Sequence, residues 1–126
     1  MSAGRVLHAA VVAHLAGLGR VFDAPPVRAA MPYVVVDDPV LAAGDAAGVA
    51  GRSGTVAVAC IDGGVSPERV RALLGAVEAA MATLPAQVGE GWRVTAVRLV
   101  RSAVSQGKGE RWTATSVFAV RMFRSN

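Results

Sequence analysis

A single cysteine, Cys60, serves all 126 residues, so no disulfide forms within the chain, and its composition leans towards a reducing compartment. Aromatic residues make up only 5% of the sequence against 53% hydrophobic overall, so the core has to be built from Ala, Val and Leu. The two histidines, His8 and His14, have no Cys or acidic neighbour at ligand spacing, which argues against a metal centre and leaves both as ordinary helix histidines. Cys60 lacks a base and an orienting group nearby in sequence, so it reads as a small core residue rather than a nucleophile. No G-x-x-x-x-G-K-[ST] motif accompanies the glycines, which speaks against a phosphate loop. No apolar run approaches the ~20 residues of a membrane span. Residues 6–18 are apolar and follow Arg5, but the histidines interrupt them and VFDAPP makes a poor cleavage site, so the segment reads as a helix, not a leader. No catalytic, cofactor-binding or metal-binding residue is expected.

Charge is spread rather than absent. The net charge is +4, and Lys108 is the only lysine among thirteen basic residues. The arginines form no continuous nucleic-acid stripe, and they alternate with acids in the first half of the chain. Arginine binds carboxylates bidentately and tolerates half-buried contact surfaces better than lysine does.

At 126 residues the chain is expected to form one domain, spanning 1–126. Its clearest element is Ser66 to Leu84. Ser66 suits an N-cap, Pro67 a first helical position, and Glu68 the positive end of the dipole. Val70, Leu73, Leu74, Val77, Met81 and Leu84 recur at helical steps on one stripe, and Pro85 stops the helix. Gly4 to Leu18 reads as a first helix, with Val6, Leu7, Ala10, Val11, His14, Leu15 and Leu18 on one face. Pro25, Pro26 and Pro32 then mark a turn-rich crossing.

Tyr33 to Asp37 and Thr55 to Ile61 read as strands, the latter with Val56, Val58 and Cys60 on one face. The Gly- and Ala-rich stretch from Val40 to Gly54 lacks a period and reads as a long mobile loop. Simple alternation in Trp92 to Val104 sets Val94, Ala96, Arg98 and Val100 on one face and Arg93, Thr95, Val97, Leu99 and Arg101 on the other. A polar tip, Ser105 to Glu110, leads into Arg111 to Arg124, where Trp112, Ala114, Ser116, Phe118, Val120 and Met122 form the expected core face. Such a long strand suggests a partner beyond its own sheet. The predicted fold is α+β, a four-stranded, mainly antiparallel sheet with two main helices packed on one face.

The pattern resembles the tail terminator or tail-completion proteins of long-tailed phages and gene transfer agents. The segments that carry the resemblance are an amphipathic first helix, RVFDAPP (20–26), PYVVVDDP (32–39), TVAVACIDGG (55–64), the helix opening SPERVRALL, and WRVTAVRLVRSAV leading into RWTATSVFAVRMF. The resemblance implies a structural, non-enzymatic protein at the head-proximal end of a virion or phage-like tail, assembled in the bacterial cytoplasm. It would form a ring of copies of itself, typically a hexamer, capping the tail tube protein, stopping tube growth and joining the head–tail connector. DNA would pass through the lumen without sequence-specific binding, and no membrane is involved. Cyclic closure needs heterologous contacts, for which the expected interface residues are Arg98, Arg101, Lys108, Arg121, Arg124, Asp45 and Arg52. The loop at 40–54 and the tip at 105–110 would reach neighbouring rings.

Two other classes compete with this one. A small α+β enzyme would have to draw on Asp37, Asp38, Asp62 and His14, yet neighbouring residues of a strand such as Asp37 and Asp38 point to opposite faces. A ferredoxin-like ligand-binding module would need a pocket.

Overall fold

Alternating apolar and polar residues hold a chain extended wherever one face is covered and the other is not, and here that alternation builds more sheet than two hairpins. The computed structural model describes residues 1–125. In chain order the elements are α1 (Ala3–Leu15), a 3-10 turn (Ala16–Leu18), β1 (Val21–Phe22), β2 (Tyr33–Val36), β3 (Val40–Ala43), β4 (Val49–Gly63), α2 (Glu68–Met81), β5 (Gln87–Gly89), β6 (Trp92–Gln106) and β7 (Arg111–Ser125). The expected four-stranded sheet is therefore wrong. Seven strands form one curled mixed sheet in the order β1-β2-β4-β7-β6-β5, with β3 joined to the same edge of β4 as β2. β1 and β2 are parallel and the other pairs antiparallel.

The largest correction falls on residues 40–54. What reads as a mobile loop is β3 and the opening of β4, paired from Val40 opposite Thr55 to Ala43 opposite Arg52. The glycines serve close approach rather than mobility. A Cβ at Gly54 would overlap the carbonyl oxygen of Val40, and one at Gly51 that of Gly44. Gly51 and Gly54 therefore let the backbone of β4 lie against the outer strand, and only the turn around Asp45 to Gly48 remains loop-like.

Both helices contribute to one core with the sheet. Val6, Leu7, Val11 and Leu15 of α1 and Val70, Val77 and Met81 of α2 are buried with Val56, Val58 and Cys60 of β4 and Phe118, Val120 and Met122 of β7. Ser2 caps α1 by accepting the Arg5 N–H at 3.1 Å. Ser66 accepts the Glu68 N–H at 3.2 Å, and the helix proper starts at Glu68, one residue later than expected, with Pro67 in the capping position. Each histidine is satisfied by a backbone carbonyl, His8 Nε2 by Val36 at 2.8 Å and His14 Nε2 by Ala80 at 2.8 Å.

A smaller cluster sits on the opposite side of the sheet. Tyr33, Val35 and Ile61 are buried there beneath Phe22 and Ala29, with the Phe22 and Tyr33 rings edge to face at 5.7 Å. The 22–32 segment thus covers one end of that face, and the rest of it lies open.

Candidate assembly surface

β7 is the axis of the surface. It pairs with β4 from Arg111 opposite Gly63 to Ser125 opposite Val49, and with β6 on its other side. Cross-strand partners share a face, so the core positions of β7 place Arg121, Ala119, Val117 and Thr115 on the open side, next to Ser53, Thr55, Ala57 and Ala59 of β4. These side chains are small or polar apart from Arg121, and the face is correspondingly flat.

β6 does not follow simple alternation. Its register with β7 shifts between Val94 and Ala96 and again between Leu99 and Arg101, leaving Thr95 and Val100 as extra residues. Two bulges reverse the facing twice. Arg98, opposite Ala119, and Arg101, opposite Val117, therefore share the open face with Arg121, although alternation assigns Arg98 and Arg101 to opposite faces. All three arginines are exposed, and Arg98 and Arg121 line a shallow depression of about 330 Å³ with Ser53, Gly54, Ala96 and Ala119.

The other expected interface residues lie elsewhere. Arg52 and Arg124 flank the buried Trp92, their guanidinium carbons 5.5 and 4.8 Å from the ring. Asp45 accepts the Gly51 N–H at 2.9 Å and pairs with Arg52 at 3.3 Å. This group closes the end of the sheet at the β3–β4 turn. Lys108 is exposed in the β6–β7 tip, at the opposite end of the long strands. Three of the seven thus form one basic surface, three form a local clasp, and one stands at a tip.

The four residues that an enzyme reading requires are not brought together. Asp62 is 2% exposed and fully engaged, its two carboxylate oxygens receiving Arg69 at 2.6 Å each, with the Gly63 N–H at 2.8 Å. The Arg69 hydrogen bond holds its carboxyl below the ordinary carboxylate range, aided by the Gly63 N–H. His14 meets the far end of the same helix at Ala80, about 16 Å along it at 1.5 Å per residue. Asp38 stands 3.7 Å from His8 Nδ1 in an open groove beside α1, and Asp37 is exposed on the other face. Burial, and secondarily the charge of Glu78, pushes the Cys60 thiol up to about 12, so the thiolate is absent near neutrality.

Asp37 carries a feature that sequence reading missed. Its N–H donates to the Ala57 carbonyl at 3.0 Å, which places it in the cross-strand row of Ala57, Val117 and Arg101. Continuing the alternation from Tyr33 and Val35 sets it on the open face. An acid therefore stands at one side of the sheet and a base at the other. A hint was available in composition: beyond Gly91 seven basic residues face a single acid, Glu110.

No functionally curated protein matches the sequence. Among solved structures, the fold is similar to a chain of a structure described as the virion of a native gene transfer agent particle, with a TM-score of 0.82 and 23% identity, covering 98% of this chain and 99% of that one. The model of the family described as tail completion protein gp17 matches residues 4–122. With nearly its whole length matched, the chain belongs to the tail completion protein gp17 family, a family of structural phage-tail proteins and not of enzymes.

Proposed function

We propose that the protein caps the head-proximal end of a tail tube as a ring, typically of six copies, halting tube growth and joining the tail to the head connector in a phage-like particle. The observation that carries this reading is the two-faced sheet: helices cover one side, and the other is open and basic through Arg98, Arg101 and Arg121. With the strands set roughly along the ring axis, the helices lie outside and the arginines face the lumen. Such a face lowers the electrostatic barrier to passing DNA through contacts with phosphates and carries no sequence code.

The length of the strands suits a cap that meets different neighbours above and below. Fifteen residues at about 3.3 Å each span roughly 50 Å. The turn around Asp45 to Gly48 lies at one end and the Gly107 to Glu110 tip at the other, so each meets a different ring. A surface that matches the tube on one rim only would stop growth.

Electron microscopy of particles produced without the protein tests the proposal. Overlong or headless tails support it; tails of normal length joined to heads refute it.

A further inference from the structure

The sheet has two strand edges that pair with nothing among the described residues, and they lie on opposite sides. On one side, β6 is covered by β5 only at its start, with a further bond from the Val94 N–H to Ala86, leaving Thr95 to Gln106 free. On the other side β2 is covered by β1, but the outer edge of β3 is open, and Val40 upon it is 74% exposed. Long open edges are rare in soluble proteins because they attract strands.

Three properties of these edges match. They run in opposite directions, since β3, β4, β7 and β6 are successively antiparallel, so rotating one copy onto the next brings β6 beside β3 in the favoured antiparallel sense. They are level along the sheet: Val40 is in the row of Thr55, Ala119 and Arg98, and Ala43 in that of Arg52, Met122 and Val94. Their charges are opposite: Arg98 and Arg101 mark the β6 side, and Asp37, on the same open face and just ahead of β3, is in the row that ends at Arg101.

We infer that copies of this chain join by strand addition, the free edge of β6 pairing antiparallel with β3 of the next copy and setting Arg101 against that copy's Asp37. The inference rests on the ring reading and names the contact that closes it. Two unlike patches on opposite sides of one subunit are what a heterologous, cyclic contact requires. Backbone bonds supply the attachment, and the charge pair sets the register and rejects wrong partners.

Mass measurement across a concentration series tests it with three proteins. Wild type is expected to shift from the 12.8 kDa monomer to roughly sixfold that mass as concentration rises. R101E and D37R are each expected to stay monomeric where wild type assembles, while melting as wild type does. An equimolar mixture of the two is expected to assemble, because every junction then again joins opposite charges. Amides at Val40–Ala43 and Thr95–Arg101 should gain exchange protection in the assembled state. Wild-type assembly that both variants reproduce unaided overturns the strand pairing and leaves the ring intact; so does a mixture of two folded variants that stays monomeric. A wild type that is monomeric at every concentration overturns the ring and the pairing with it.

Discussion

Replacing Gly54 with alanine tests whether residues 40–54 are sheet rather than loop. The added methyl would meet the carbonyl oxygen of Val40 and, close behind it, Leu41 Cα, both backbone atoms that cannot rotate away. Overpacking of this kind destabilises by about 1–3 kcal/mol. The alternative is for β3 to detach, which forfeits hydrogen bonds of about 0.5–1.5 kcal/mol each along a four-residue pairing and the half-burial of Leu41. The two routes are comparable, so β3 is expected to move outward at about 2 kcal/mol, near the middle of the overpacking range. For a domain of this size that lowers Tm by roughly 6–12 °C. Hydrogen exchange at Leu41 to Ala43 should accelerate, while the core of β7 changes only with global stability. Gly44→Ala, with open space around its Cβ, is the control and should change Tm little. If Gly54→Ala melts as wild type and leaves exchange at 41–43 unchanged, the pairing of β3 with β4 is wrong.

Gly75→Ala, in the middle of α2 with nothing within reach of the new methyl, should raise stability by about 0.5–1 kcal/mol in a denaturant titration. Leu7→Ala removes a fully buried side chain from the α1 face and should lower stability by about 2–5 kcal/mol, measured in the same way. Asp62 has a folded pKa below its unfolded value of about 4, so the stability it contributes is present above that pH and is lost as pH falls through the folded pKa; Asp62→Asn should flatten the acid limb of a stability–pH curve. Cys60, buried and held protonated, should resist a disulfide reagent at pH 8 until denaturant unfolds the chain.

Where one face of an element is buried along its length, the sequence carried that information. The stripe of α2, the face of α1, and the inward positions of β4 and β7 all follow from spacing, because burial on one side imposes the period directly. The rest depended on events outside the local window. Gly51 and Gly54 look the same whether a segment is loose or pressed against another strand, and only the approach of β3 distinguishes the two cases. β1 and β5 have two and three residues, too few for a period, and exist through their partners. The grouping of Arg98 with Arg101 was hidden for another reason: a bulge leaves no mark on the hydrophobic pattern of a strand exposed on both faces over much of its length. The place of Asp37 on the open face was hidden because it depends on a row shared with a residue sixty-four positions later.

The bulges at Thr95 and Val100 make β6 unusually forgiving at two places and intolerant between them. Deleting either residue restores regular pairing without turning any side chain over, whereas deleting Arg98 would transpose its neighbours between water and core. What a deletion at Thr95 or Val100 would alter is curvature, since each extra residue bends the strand that holds it. Relatives that differ by one residue here would thus keep the same inward and outward sets while tightening or relaxing the arc, so that the curvature of the open face changes and its chemistry does not.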